Sequence, residues 1–354
     1  MDTSFPPLKV GLIGCGQAAA VSHLPALRHV PEVEVVALAD TDSERLQRVA
    51  DQFDVGRRYA SSAALLEDPT IEAVGVCVPA QHHVEVGLAV LDAGKHLFLE
   101  KPIAVTLAGA DQLLDRAAHG SRKILLGFNL RWHRLAQRAR ALLQRDALGP
   151  VTLLRAGLTS YHDVIPPWRT RRASGGGVFF EQAVHHFDLW RFLLRSEVEE
   201  VFAVSRSGEW EDETAALTAR MSNGVLVSAV FAVHTTSRND VEVYGHAGSV
   251  SFSFYRFDSL VRSAGTDPTD GVRARLRELA RAAREAPLGF LRLRRGGDFI
   301  ASYQAEWRHF FAAIRRDVPI ECTLDDGRRA LQVVLAAAKS ASSGRPVAVA
   351  DAAD

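Results

Sequence analysis

Cysteine is scarce in this chain: three residues in 354, at Cys15, Cys77 and Cys322. An odd number of thiols spaced this far apart supplies neither a disulfide framework nor a zinc cluster, and it fits a reducing compartment. Net charge is missing as well, since 42 basic residues are balanced by 42 acidic ones. No global field therefore draws in nucleic acid or an anionic membrane. No apolar run reaches the roughly 18 residues needed to cross a bilayer. The start, MDTSFPPLKV, has neither a basic n-region nor a long apolar stretch, so the expectation is a cytoplasmic protein without a signal peptide. Internal repeats and low-complexity tracts are also absent. What is left is ordinary globular composition at a length too great for one core, which predicts two domains.

The first half alternates strand and helix. LKVGLIGCGQAAAVSHLPALRHV reads as a strand, a glycine turn and a helix. Gly14 and Gly16, with Gln17 and Ala18 beside them, allow a tight turn and the approach of a pyrophosphate to the helix N-terminus. Ala19 takes the place of the third glycine of the dinucleotide fingerprint and is still small enough for close packing. The next strand, VEVVALAD, ends in Asp40, roughly 20 to 25 residues past the glycines, where a carboxylate hydrogen-bonds ribose hydroxyls and repels a 2′-phosphate. NAD is therefore the expected cofactor. Arg45, Arg57 and Arg58 nearby keep NADP as the alternative, and a helix N-cap is a compatible role for Asp40. The alternation continues through EAVGVCV, a helix carrying His82 and His83 after Pro79, the strand HLFLE, a helix over 106 to 118 and the strand KILLGF. It predicts a doubly wound parallel sheet over residues 1–127. His83 is the histidine expected to face the cofactor.

After Gly127 the organisation changes. NLRWHRLAQRARALLQRDALG reads as a basic helix. From about 200 to 255 short strands are separated by turn signals such as Ser222-Asn223-Gly224. Residues 128–354 are expected to form an α+β domain with a large, mostly antiparallel open sheet, closed by helices over 302–316 and 325–342. Residues 271–297 carry eight arginines against two glutamates. They read as a solvated helix face, with a subunit contact or a clamp for an anionic substrate as the alternatives.

Two stretches carry chemistry. In HLFLEKPIAV a buried strand delivers Glu100 and Lys101 to its carboxyl end, where ligands of open α/β sheets sit, and Pro102 fixes the turn. In SGGGVFFEQAVHHFDLWRFLL three glycines precede a helix that places Glu181, His185 and Asp188 at i, i+4 and i+7, one stripe of one face. A carboxylate one turn from a histidine fixes its tautomer and raises its basicity. The plain alternatives are a solvated loop for the first stretch and a surface Glu-His pair for the second.

Together these stretches are similar to the glucose–fructose oxidoreductase, inositol dehydrogenase and MocA (Gfo/Idh/MocA) group of NAD(P)-dependent oxidoreductases. The resemblance spans nearly the whole chain, through VGLIGCGQAA, VVALADTDSERL, VCVPAQHHVEVGLAVLDAGKHLFLEKPIAVT, GFNLRW, PPWRTRRASGGG, His185 with Asp188, and DGRRALQVVLAAAKSASSGRPV. It implies that Lys101 is the catalytic lysine and His185 the active-site histidine. Glu181 stands where the family often has Asp, and Pro79-Ala80 where it has Pro-Asn. Trp168 and Arg169 resemble a pair near the nicotinamide and substrate, and Asn129 and Arg131 match positions lining the cleft.

The chemistry implied is hydride transfer at a secondary alcohol. His185 is the expected base, and Lys101 is the hydrogen-bond donor to the reacting oxygen, its neutral form favoured beside an oxidised nicotinamide. Glu181, Gln182, His186 and Arg131 suit a polyhydroxylated substrate such as a sugar, cyclitol or sugar derivative. An open sheet that needs covering predicts a homodimer or homotetramer. Two rival outcomes are an NAD-dependent glycoside-cleaving enzyme of the same fold and a catalytically silent NAD-binding regulator.

Overall fold

The computed structural model describes residues 5–161, 166–255, 260–265 and 296–352, together with the single positions 272, 276, 280 and 283. The greater part of the arginine-rich segment 271–297 lies outside the described residues.

Six parallel strands form the first sheet: β1 (Leu8–Ile13), β2 (Val33–Ala39), β3 (Arg57–Tyr59), β4 (Ala73–Val76), β5 (His96–Glu100) and β6 (Ile124–Gly127). Their order is β3-β2-β1-β4-β5-β6, so the direction of winding reverses between β1 and β4. β4 is buried at every position, as expected of a strand covered on both faces. The crossovers are α1 (Leu24–Leu27), α2 (Ser43–Phe53), α3 (Ser62–Leu66), α4 (His83–Asp92) and α5 (Leu107–Ala118). Side-chain caps start three of them: Asp42 accepts from the Arg45 N–H, Ser61 from Ala64 and Thr106 from Gly109. A π turn (Ala18–His23) precedes α1, whose second residue is Pro25. Proline brings no N–H to an α-helical ladder, and the wider turn accommodates that loss.

Past β6 come a short 3₁₀ turn (Asn129–Trp132), α6 (Arg134–Gln144) and β7 (Val151–Thr159). A second π turn (Phe179–Ala183) leads into α7 (Val184–Leu194). The remaining strands are β8 (Val198–Arg206), β9 (Thr214–Met221), β10 (Leu226–Ala232), β11 (Arg238–Gly245), β12 (Gly248–Ser253), β13 (Val261–Ala264) and β14 (Val347–Ala348). They make an eight-stranded sheet in the order β13-β12-β11-β7-β10-β9-β8-β14. β7 and β10 are parallel, and the other pairings are antiparallel. The expected hairpin at Ser222-Asn223-Gly224 joins β9 to β10, with Gly224 at φ +84°.

The last two helices, α8 (Gly297–Arg316) and α9 (Leu324–Ser343), cross back to the first sheet. Trp307 of α8 stacks on Phe98 of β5 with ring centroids 4.4 Å apart. Gly327 of α9 lies so close to β6 that a Cβ there would stand 2.2 Å from Leu126. Thus helices from the far end of the chain help to cover the N-terminal sheet.

Candidate active site

A cavity of about 660 Å³ opens at the carboxyl ends of β1, β2, β4 and β5. One end is lined by Gly14, Gly16, Gln17, Ala18, Asp40, Thr41, Arg45 and Ser62, and the other by Pro79, His83, Glu100, Lys101, Trp168, Arg169 and Glu181. Gly14 has φ +94°, and a Cβ there would sit 2.7 Å from the Cys77 backbone, so only glycine fits where β1 passes the end of β4. A Cβ at Gly16 would meet nothing within 4 Å, which leaves open space over the turn for a diphosphate. Length, placement and the open backbone at Gly16 all suit a dinucleotide. Asp40 and Arg45 would meet its adenosine end, and Lys101, Trp168 and Arg169 its nicotinamide end.

Asp40 is more occupied than its place in the fingerprint suggests. One oxygen accepts from the Cys15 N–H (2.7 Å) and from Arg45 Nε (2.9 Å), and the other from the Asp42 N–H (2.8 Å) and from Arg45 Nη2 (2.7 Å). A carboxylate has about four lone-pair sites, and all are filled. Burial alone would raise this carboxyl, but the Arg45 fork and the two backbone donors hold it below its ordinary range. His83 is likewise committed: Nδ1 lies 2.6 Å from the Pro102 carbonyl and Nε2 2.9 Å from that of Val78. Its ring lines the cavity while its nitrogens brace the turn after Lys101.

β5 delivers Glu100, buried, and Lys101, half-buried, and the Lys101–Pro102 peptide is cis. Lys101 Nζ donates to the Glu181 carbonyl at 3.0 Å. Glu181 lies in the π turn and His185 at the start of α7, and the expected carboxylate–histidine bond is not made. The Glu181 carboxylate turns instead to Arg169 (3.4 Å), whose Nη1 also donates to Gln17 (3.0 Å) across from the glycine turn. Among the described residues His185 Nδ1 has no hydrogen-bond partner. Burial first, then the charges of Lys101 and His186, push its imidazole well below the ordinary histidine range. It is therefore neutral at pH 7.

Four residues expected at the substrate face inward instead. Arg131 grips Asp188 (2.7 Å from Nε), the Glu321 carbonyl (2.8 Å) and Asp326 (2.9 Å). Asn129 donates to Ser302 (3.3 Å). Gln182 donates to Ser160 (2.7 Å) and to the Ala232 carbonyl, and His186 Nε2 meets Asn239 (2.9 Å). A helix face that packs on a sheet and a neighbouring helix must pair its buried polar groups there, and that demand outranks the cleft. Sequence reasoning missed His23, Thr41, Ser62 and Trp307. Of these, His23 and Trp307 lie 284 positions apart, beyond any local pattern.

Comparison with known proteins gives the family and the fold. Residues 8–128 match the model of an oxidoreductase family with an NAD-binding Rossmann fold, and residues 136–251 match the GFO/IDH/MocA C-terminal domain. The chain is 28% identical to myo-inositol 2-dehydrogenase of Thermotoga maritima over 352 residues, 96% of this chain and 98% of that one. It is 32% identical to 1,5-anhydro-D-fructose reductase of Ensifer adhaerens over 252 residues, 68% of this chain and 74% of the reductase. In fold it resembles a levoglucosan dehydrogenase solved with NADH, at TM-score 0.82 and 21% identity, covering 97% of this chain and 99% of that one. No helix among the described residues is long and apolar enough to cross a membrane.

Proposed function

This chain belongs to the GFO/IDH/MocA family of NAD-binding oxidoreductases, and on that premise we propose that it transfers a hydride between the nicotinamide and a secondary alcohol or ketone of a sugar, cyclitol or sugar derivative. The observation that carries the reading is Lys101 on the wall of the dinucleotide cavity, with the neutral imidazole of His185 close enough behind it to feel its charge. The cofactor, when bound, supplies the hydride acceptor or donor. The protein must hold the alcohol and move its proton. His185, with an unpartnered buried nitrogen, takes the hydroxyl proton in oxidation and returns it in reduction. Lys101, steered by the Glu181 carbonyl, donates to the reacting oxygen. Trp168 and Arg169 close the cleft over this end, and the Arg169 hydrogen bond to Gln17 and ion pair with Glu181 join the two halves of the wall. A polyhydroxylated substrate is supported by the polar side chains of Lys101, Arg169 and Glu181 on the cavity wall and by the names of the relatives.

The functional unit we propose is a homodimer or homotetramer, formed through the open face of the eight-stranded sheet in a cytoplasmic setting. Phe202, Val204, Leu226, Val230, Leu153 and Tyr244 are exposed there.

The test follows reduced-nicotinamide absorbance as purified protein and NAD meet a panel of sugars, inositols and sugar derivatives. Lys101→Ala and His185→Ala should each lose about 10²-fold or more in kcat. Tight NADH binding with no turnover of any alcohol would sink the dehydrogenase reading. Glycoside cleavage without net change in the cofactor would replace it.

A further inference from the structure

Behind the Glu100-Lys101-Pro102 turn, three side chains from distant parts of the chain form a buried line. The Trp307 indole N–H donates to His23 Nδ1 at 3.0 Å. Indole is only a donor, so Nδ1 is the acceptor nitrogen and Nε2 carries the proton. That nitrogen lies 2.7 Å from Glu100 Oε1, and Glu100 Oε2 accepts the Lys101 backbone N–H at 3.1 Å. His23 and Trp307 are wholly buried and Glu100 is 6% exposed. The edges of Phe98 and Tyr303 box the His23 ring, with centroids 5.2 and 5.0 Å away, and stop it from turning. On the other side of the turn His83 holds the Pro102 carbonyl.

We infer that His23 and Trp307 are positioning residues for hydride transfer, fixing Glu100 and through it the backbone of Lys101 at the inner end of the cofactor cavity. The inference rests on the proposed function for its kinetic readout. Polar groups this deep are costly to desolvate, and apolar residues of the same shape would pack as well, so their use here needs a reason. Fixing one tautomer and one direction for Glu100 supplies it. The device also ties the site to α8, so that a helix from the far end of the chain sets the geometry of a residue on β5.

Ionised Glu100 accepts at both oxygens, and loss of the His23 donor would favour its neutral form. Glu100 faces His23, His83, Lys101, Cys77, Tyr303 and Glu306. Lys101 faces Glu100, His83 and His185.

The experiment compares His23→Leu, His23→Gln and Trp307→Phe with the parent, each checked for folding by melting and by NADH affinity. His23→Gln can keep a donor toward Glu100, whereas His23→Leu cannot. We expect kcat to fall about tenfold in His23→Leu and Trp307→Phe with NADH affinity within about twofold. The acid limb of the His23→Leu pH profile should move up by about one unit, the equivalent of one bond to a charged group. His23→Gln should restore most of both. The second readout needs no substrate. In protein labelled at its five lysines, the Lys101 amide proton should shift in His23→Leu and Trp307→Phe and stay in place in His23→Gln. Unchanged kcat and amide shift in folded His23→Leu would overturn the inference, as would equal damage in His23→Gln. Loss of turnover in every protein, parent included, with the amide pattern as expected would fault the proposed reaction and leave the positioning role standing.

Discussion

Cofactor choice in this protein turns on a single guanidinium. With four donors on its two oxygens, Asp40 has no free site for a ribose hydroxyl until Arg45 lets go. The same fork cancels most of the charge that would repel a 2′-phosphate. Removing it frees both functions of the carboxylate at once. In Arg45→Ala the ratio of NADPH to NADH dissociation constants should rise about tenfold, which is about 1.4 kcal/mol. Fluorescence titration of both reduced cofactors measures it, and an unchanged ratio would show that Asp40 plays no part in the discrimination.

The glycine triplet acts at the scale of an element. Gly176 packs against the turn that carries Trp168 and Arg169, and a Cβ there would stand 2.1 Å from the Arg169 carbonyl. Backbone cannot yield as a flexible side chain can, so Gly176→Ala must displace that turn and disturb the Arg169 hydrogen bond to Gln17 and its ion pair with Glu181. NADH affinity should drop about tenfold, with a loss of stability of about 1–3 kcal/mol from overpacking. Calorimetric binding and urea unfolding separate the two effects. Full affinity in this variant would show that the loop does not help hold the cofactor. α9 depends on small size in the same way at Gly327, against Leu126 and Ile103.

Two predictions belong to the whole molecule. Across the open sheet, Val230 lies opposite Ala216 on β9 and Gly157 on β7, so an apolar row runs along the middle of the exposed face. Val230→Lys should leave only monomer in light scattering where the parent forms the proposed oligomer, with the fold intact, since this side chain is 52% exposed. The second concerns acid. Burial depresses His96, His133 and His186 from 6.5 to about 4, with the Asn239 bond only partly offsetting this at His186. Between those two values the unfolded chain binds more protons than the folded one, so stability falls as pH falls through the window. Melting temperature should decline steadily over that range and keep falling below it, where carboxyls held down in the fold such as Asp40 take up protons, and a flat profile between 6.5 and about 4 would refute the assignment.

Strand–helix alternation, the glycine turn and the buried strand ending in Glu100-Lys101 were legible because each is a local pattern read at a fixed spacing. So was the antiparallel character of the second sheet, where the turn residues at 222–224 sit between alternating strands. Local periodicity also misled, since it presumes a uniform helix. Glu181 falls in the π turn at Phe179–Ala183, and its carboxylate goes to Arg169, a residue of a separate turn, and not to His185. Arg131, Asn129, Gln182 and His186 are polar residues near the site in sequence, yet packing sets their direction, and each pairs with a group from another element. The amino-acid order determined the family and the cofactor class, and it put Lys101 and His185 forward as candidates. Only the tertiary structure decided which donors fill Asp40 and which rings stand behind Glu100. Those contacts join residues far apart along the chain, and spacing carries no information about them until the chain has folded.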